Sequence, residues 1–340
     1  MKVIHATAPA IASIGRASTP MPVPQRGDIL IRVAKVSLNY RDLAVLSGTH
    51  IAAATLPFVP CSDACGVVEA VGADVTRFKP GDRVLTCYIQ GWRDGRMKKE
   101  HRMRTLGGPL PGVLQEYVVV PADDAVAAPP HLNDSEASTL PIAALTAWTA
   151  LREGAVQAGD TVLVQGTGGV ALFGLQFARA AGARVIALTS SADKAAMLTR
   201  MGAAAVIDYR KTPEWATAVR EASGGQGADI VIETTGSTLE QSLGAVAFGG
   251  FIGVVGFLGG LTVPLNLRQM IGPNIRLQGV VVGSRASFEA MNRAMALHDI
   301  HPVLDRSFAF EDAQAAFAHM KAAAHVGKIV INVDGKGEAQ

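Results

Sequence analysis

The chain has 340 residues, enough for about two domains, and is 49% apolar and 18% charged, the balance of an ordinary soluble globular protein. A net charge of +2 gives no reason to expect nucleic acid or a membrane surface as partner, and no charge-free apolar run reaches the about 20 residues that a bilayer span needs. Three cysteines, Cys61, Cys65 and Cys87, fit a reducing cytoplasmic setting better than a disulfide scaffold.

The N-terminus, Met1-Lys2-Val3-Ile4-His5, reads as a first strand and lacks the apolar core of a signal peptide. Residues 28–37, 66–71, 82–86 and 116–120 are further strand candidates, divided by Pro-Gly turns such as Lys79-Pro80-Gly81-Asp82. This spacing predicts a small, mostly antiparallel β domain. From residue 161 the pattern changes to alternating strands and helices: strands at 161–165, 184–188, 206–208, 229–233 and 251–255, with helices at 169–181 and from about 193, 213 and 239. Short continuous apolar strands alternating with helices predict a parallel sheet covered on both faces. Beyond residue 283 the spacing predicts helices at 286–298 and from 310, a last strand at 328–333 and a frayed polar tail over 334–340. The two ends of the chain are thus expected to build one domain and the middle another.

The most informative motif begins at Val162-Leu163-Val164-Gln165. A strand runs into Gly166-Thr167-Gly168-Gly169-Val170-Ala171 and then into a helix. Gly166 permits the tight turn, Gly168 lets backbone approach a pyrophosphate, and small Ala171 lets helix and strand pack closely. The N–H groups and partial positive charge of the helix start, at Gly169 and Val170, then face the phosphates. An NAD site carries an acid at the end of the second strand. Here Thr189-Ser190-Ser191 stands there, and the first carboxylate, Asp193, follows on the helix. Hydroxyls with Lys194, and Tyr209-Arg210 after the third strand, suit a 2′-phosphate, so NADP(H) is expected over NAD(H). The alternative role of Ser190 and Ser191 is to cap the following helix.

The chain also contains Ser37-Leu38-Asn39-Tyr40-Arg41-Asp42-Leu43, Pro60-Cys61-Ser62-Asp63-Ala64-Cys65-Gly66, Lys79-Pro80-Gly81-Asp82-Arg83-Val84, Thr146-Ala147-Trp148-Thr149-Ala150-Leu151 and Gly327-Lys328-Ile329-Val330. In this order, around the glycine loop, they resemble the medium-chain dehydrogenase/reductase superfamily, and specifically its zinc-free, quinone-oxidoreductase-like branch. The resemblance implies an α/β fold: a doubly wound Rossmann sheet, residues 144–281, inserted in a GroES-like, mostly antiparallel β domain, residues 1–143 with 282–340. It implies an active site in the cleft between them and a homodimer through Rossmann edge strands near 253–263 and 278–282. It puts Thr146 against the nicotinamide, the backbone of Val255-Gly256-Phe257 and Val280-Val281-Val282 around its carboxamide, and Lys328 near the cofactor; the other reading of Lys328 is a surface lysine.

Zinc alcohol dehydrogenases of this superfamily have Cys where Asn39 stands and Gly-His-Glu where Cys61-Ser62-Asp63 stands. Asn39 and Ser62 are poor zinc ligands, and the region of the structural zinc lobe, about residues 87–108, holds only Cys87. No metal is therefore expected, and Cys61 and Cys65 read as core thiols, with Cys61 also a candidate for the substrate pocket wall. Without a Lewis acid, reduction of a conjugated C=C is better suited than alcohol oxidation. The expected reaction is NADPH-dependent reduction of a quinone or α,β-unsaturated carbonyl. Asn39 is a candidate donor to substrate oxygen or a residue that simply holds the loop, Tyr40 is equally a candidate proton donor or a phosphate or wall contact, and Asp63 is a hydrogen-bonding acid at the cleft floor. Asp42 is expected to cap a short helix and pair with a basic neighbour. Other readings are a zinc-free alcohol or aldehyde dehydrogenase, and a non-catalytic NADPH-binding sensor or structural protein. The basic segment 91–104 reads first as a solvated loop. It is also a candidate rim of the substrate mouth, with Trp92 as a wall and Arg96, Lys98 or Arg102 attracting acidic substrates or the cofactor phosphate.

Overall fold

The structure, a computed structural model, describes residues 1–49 and 55–335. In chain order its strands are β1 (Lys2–Ala6), β2 (Ile14–Ser18), β3 (Asp28–Ser37), β4 (Asp63–Val71), β5 (Arg83–Thr86), β6 (Tyr117–Pro121), β7 (Ala125–Ala127), β8 (Thr161–Gln165), β9 (Arg184–Thr189), β10 (Ala205–Asp208), β11 (Ala228–Glu233), β12 (Val246–Val254), β13 (Arg276–Gly279), β14 (Leu304–Ala309) and β15 (Lys328–Asn332). The fold is mixed α/β and divides into two compact units. One is built from Met1–Leu145 with the chain from Gly283 onward, and the other is Thr146–Val282.

In the first unit one sheet runs β14-β15-β3-β4-β5-β7, with β6 paired to β3. All its pairs are antiparallel except β14 with β15. β3 is its spine because DILIRVAKVS keeps almost every side chain covered, meeting β4 along one edge and, along the other, β6 at its start and β15 at its end. This antiparallel sheet, with Ile29, Ile31, Val33, Val68 and Val118 in one buried cluster with Phe310 and Phe317, has the GroES-like character that the spacing of β-branched runs implies. Pairing of β15 with β3 also carries Lys328 to the end of β3, next to Leu38 and Asn39.

In the second unit the sheet order is β10-β9-β8-β11-β12-β13, and every neighbouring pair is parallel. This is the doubly wound Rossmann order. The strand TVLVQ at its centre is fully buried, as required of a strand covered on both faces. The order reverses between β8 and β11, the place where such sheets take a ligand at the carboxyl ends of their strands.

Several elements differ from the sequence reading. β2, β7 and β14 are additional strands; β14 reads LDRSFA, is mostly exposed, and shows no alternation that would mark it. β12 starts at Val246 rather than 251, pairs with Ala228, bulges through Gly249 in the left-handed region, and resumes at Phe251. Of the two expected edge segments, only 276–279 is an edge strand. β12 ends at Val254 and lies inside the sheet, covered by β13, so 253–263 offers no edge. The tail is held at its start: Asp334 pairs with Lys35 at 3.0 Å in a largely buried position, so it is not frayed there. The rest of the expected tail, 336–340, lies outside the described residues. All three thiols are free and buried. Among the described residues, no helix is long and apolar enough to cross a membrane.

Candidate active site

The glycine loop leaves β8 through Gly166, whose φ of +83° only glycine adopts without strain. Its N–H is held by Leu188 O at 2.9 Å, tying the turn to β9. Gly168, in extended backbone, caps the helix Gly169–Ala180, which opens with Gly169 and Val170. A Cβ on Gly166 or Gly168 would meet nothing within 4 Å, so both face open space. The helix-strand approach needs glycine elsewhere. A Cβ on Gly174 would lie 2.7 Å from Ile232 Cδ1, so Gly174 together with buried Ala171 sets the packing distance. Open backbone at a helix start above a closely packed sheet fits a dinucleotide pyrophosphate.

A buried carboxylate that the sequence reading missed fixes this loop. Glu233 ends β11 and accepts hydrogen bonds from Gln165 Nε2, Ser242 Oγ, Thr235 N and Oγ1, Gly236 N and Thr238 Oγ1. Burial alone would raise its pKa, but these donors overcome burial and hold it below the ordinary value. Gln165 immediately precedes Gly166 and also accepts from Thr234 N at 3.1 Å. The carboxyl ends of β8 and β11 are thus cross-braced where the strand order reverses.

At the end of β9, Thr189 is buried with its hydroxyl lacking a hydrogen-bond partner, and Thr189 O accepts from Tyr209 N at 3.0 Å. Thr189 and Tyr209 are therefore neighbours. Ser191 caps the helix Ala192–Arg200 by accepting from Lys194 N, so the capping role applies to Ser191 and not to Ser190. Asp208, opposite Thr189 in register, accepts from Arg210 N at 3.0 Å. Thr146 is buried and donates to Val281 O at 3.0 Å, which brings two expected nicotinamide contacts together. Val255 N is held by Glu233 O and Val280 N by Val254 O, both at 2.9 Å. Gly256 passes so close to Thr234 O that a Cβ there would be 2.2 Å away. Phe257 and Val281 are partly exposed, whereas Val280 and Val282 are buried.

In the first unit Asn39, Asp63 and Lys328 meet in one buried cluster. Asn39 precedes the helix Tyr40–Leu46 and its N–H donates to Asp42 Oδ2 at 2.8 Å. Asp42 caps that helix and pairs with Arg41 at 3.5 Å, the two roles expected of it. Lys328 Nζ donates to Leu38 O and, at 2.7 Å, to Asn39 Oδ1. It is buried, which corrects the surface-lysine alternative: its ammonium turns inward to Leu38 O and Asn39 Oδ1. Asn39 Nδ2 lies buried beside the Asp63 carboxyl and makes no well-aligned hydrogen bond. Asp63 accepts from Ser62 Oγ at 2.7 Å and from Ile142 N at 3.0 Å, the latter offered by the π-helical turn Leu140–Ala144.

Burial dominates the electrostatics. It raises the Asp63 pKa against the opposing pull of Lys328, and lowers that of Lys328 against the pull of Asp63 and Asp42. It also pushes Asp42 up to about 6, despite Arg41 beside it. Cys61 is fully buried at the same cluster, with φ of +69°, and its thiol pKa is driven well up by burial and by Asp42 and Asp63. It is a core thiol as the structure stands, not a pocket wall. Gly107 and Gly112 press on its backbone, and a Cβ on Gly112 would lie 2.3 Å from Cys61 O. Tyr40 is 48% exposed at the first turn of its helix. Trp92 lies in the basic loop, donates to Gly95 O and stacks on His101.

Zinc of the kind known in relatives needs Cys, His or carboxylate donors. The cluster offers Ser62, a single carboxylate at Asp63, and Asn39 with its side-chain carbonyl taken by a lysine ammonium, which is a poor fit. No group of three or more His, Cys, Asp or Glu able to hold a metal occurs among the described residues.

Residues 25–130 match the family model of the alcohol dehydrogenase GroES-like domain, and residues 169–297 that of zinc-binding dehydrogenase. A zinc-type alcohol dehydrogenase-like protein of Schizosaccharomyces pombe is 40% identical over 92% of this chain and 93% of its own length. The quinone oxidoreductase of Sus scrofa is 29% identical, covering 88% of this chain and 86% of its own. A provisionally named alcohol dehydrogenase structure from Sinorhizobium meliloti 1021 superposes with a TM-score of 0.91 at 43% identity, covering 97% of this chain and 98% of its own. With a parallel sheet of Rossmann order, a GroES-like sheet and these relatives, the chain belongs to the medium-chain dehydrogenase/reductase superfamily, in its quinone-oxidoreductase-like branch, and is an oxidoreductase enzyme.

Proposed function

We propose that the protein is a zinc-independent, NADPH-dependent reductase of quinones or α,β-unsaturated carbonyls. The observation that carries this reading is the Lys328–Asn39–Asp63 cluster, in which a lysine ammonium engages, at 2.7 Å, the amide that stands where a metal centre would need a ligand.

The dinucleotide would be held by the open backbone of Gly166, Gly168, Gly169 and Val170, by Thr146, and by the backbone of Val255, Gly256, Phe257, Val280, Val281 and Val282. Thr189, Ser190, Ser191, Lys194 and Tyr209 would surround a 2′-phosphate. Lack of an acid at the end of β9 favours the phosphorylated cofactor, and the unpartnered Thr189 hydroxyl supplies a donor there. When bound, the nicotinamide supplies a hydride.

This chain's own residues then deal with charge and proton. As a conjugated carbonyl is reduced at its β-carbon, negative charge collects on the carbonyl oxygen. Asn39 Nδ2 is a donor for it, and the pull of Lys328 on Asn39 Oδ1 polarises that amide and strengthens the donor. Tyr40, partly exposed one residue on, is the group able to deliver a proton to the α-carbon. Asp63 and Lys328 hold Asn39 rather than react.

Reduction of a simple carbonyl is the second reading, favoured by the relatives named as alcohol dehydrogenases. NADPH oxidation with but-3-en-2-one and with butanal separates the two. Turnover of the enone alone supports conjugate reduction, turnover of the aldehyde alone supports the second reading, and NADPH binding with neither points to a non-catalytic sensor. The protein is also proposed to be a cytoplasmic homodimer joined through β13 of the Rossmann sheet. Light scattering on the purified chain checks the dimer.

A further inference from the structure

Residues 91–104 carry the cations Arg93, Arg96, Lys98, Lys99, Arg102 and Arg104 against the acids Asp94 and Glu100, in a chain whose net charge is only +2. Half of those cations are used internally. Arg93 pairs with Asp123 at 2.8 Å, Lys98 lies 3.9 Å from Glu100, and Arg104 Nε turns back to Gln90 O. Arg96, Lys99 and Arg102 are exposed, and among the described residues no ion pair occupies them.

A merely solvated charged loop needs no internal frame, yet this one is braced at its start, at His101 and at its return. His101 is buried, accepts from Lys98 N at 3.1 Å, and stacks under the Trp92 ring with centroids 6.2 Å apart. The indole of Trp92 closes the turn by donating to Gly95 O at 2.9 Å. Trp92 O and Arg93 O accept from the first-turn amides of Arg285 and Ala286, and Gly91 N donates to Asp124 Oδ1. Where the loop returns, Leu106 O and Gly108 O are both gripped at 3.0 Å by the guanidinium of Arg41. Arg41 is the residue after Tyr40, so the frame of the basic loop is bolted to the turn that presents Asn39 and Tyr40.

We propose that this loop is a phosphate-binding subsite for the far end of the substrate, so that the unsaturated substrate reaches Asn39 and Tyr40 on a phosphorylated carrier. Two guanidinium groups and an ammonium suit phosphate oxygens in charge and hydrogen-bonding capacity, and bracing of the loop that carries them lowers the ordering cost of binding. The substrate assignment rests on the proposed reductase function; the phosphate subsite itself does not. The same chemistry has a second source, the cofactor's own phosphates, and the test separates the two.

Butyryl-coenzyme A and butyryl-N-acetylcysteamine share a thioester end and differ in the phosphates, and neither is reduced, so calorimetry reads binding without turnover. With the dinucleotide site saturated by NADP+ in low salt, the wild type should bind the coenzyme A thioester and favour it over the short thioester by about ten-fold or more, a margin that shrinks as salt rises. R96Q/K99Q/R102Q should abolish that margin while leaving Tm, NADP+ affinity and turnover of but-3-en-2-one unchanged. Equal affinity for the two thioesters in the wild type, no binding of the coenzyme A thioester, or an unchanged margin in the variant overturns the proposal. A loss of NADP+ affinity instead assigns the loop to the cofactor and also overturns it. In parallel, failure of NADPH to reduce both crotonyl thioesters would count against the reductase function and leave the binding result standing.

Discussion

The ammonium of Lys328 donates to the side-chain carbonyl of Asn39 at 2.7 Å, and so dictates which end of that amide is left for any other partner. The two residues lie 289 positions apart in sequence and are joined only because β15 pairs with β3. The same ammonium and the Asp63 carboxyl are both buried and act on one another by charge. Removing one of two buried opposite charges strands the other, at a cost of about 3–5 kcal/mol. Lys328→Met should therefore lower stability by about that much and reduce kcat. Lys328→Met combined with Asp63→Asn should recover most of the stability but not the kcat, because Asn39 stays unheld. Denaturant unfolding and steady-state kinetics on the four proteins of this cycle check it. Additive stability losses would contradict the pairing.

The glycine loop makes a paired prediction. Gly168 has an ordinary backbone conformation and open space around its missing Cβ. Gly168→Val should leave Tm unchanged yet weaken NADPH binding by at least about ten-fold, because the new methyls occupy the space that the phosphates need. Gly174→Val should do the reverse, driving methyls into Ile232 and costing about 1–3 kcal/mol of stability with a smaller effect on cofactor affinity. Fluorescence titration and thermal melts separate the two effects.

Cofactor choice is testable at Ser190. Ser191 is occupied as a helix cap, whereas the Ser190 side chain has no such duty. Ser190→Asp sets a carboxylate at the end of β9, able to bind a ribose 2′-OH and repel a 2′-phosphate. The KM for NADPH should rise by about ten-fold or more while that for NADH falls or holds. An unaltered ratio of the two would show that the phosphate is bound elsewhere.

Asp42 gives a pH dependence. Burial raises its pKa from the ordinary 3.8 to about 6, so between those values the folded protein holds a proton that the unfolded chain has released. Stability from this group is present below about pH 4, is lost as pH rises through 6, and totals about 3 kcal/mol. Asp42→Asn keeps an oxygen to accept from Asn39 N but does not titrate. The wild type should therefore lose stability relative to Asp42→Asn between pH 4 and 6.5, and hold a constant difference above that. Parallel stability curves would contradict the shift.

Features carried by local pattern were legible in the sequence. The strand 28–37 shows as a β-branched run and β8 with its glycine turn as a strand-turn-helix motif, since each is set by neighbours a few residues away. Asp42 as cap and partner of Arg41 is local in the same way. Contacts made across the sheet were not legible. Lys328 looks like any lysine on a terminal strand until β15 is seen beside β3. Glu233 looks like a solvated acid at a strand end, although the hydroxyls at Thr235, Thr238 and Ser242 that satisfy it were visible downstream and could have signalled a buried carboxylate. β14 has no apolar alternation because one flank of it is open, so only its pairing with β15 reveals it as a strand.

In the proposed reaction a conjugated carbonyl takes up hydride while an asparagine and a lysine do the polarising. Its most direct test is the rate of NADPH oxidation with but-3-en-2-one, measured on protein stripped by exhaustive chelation and checked by elemental analysis. Full activity is expected with no bound metal, and no gain on adding zinc. Activity that disappears on stripping and returns with stoichiometric zinc would contradict it.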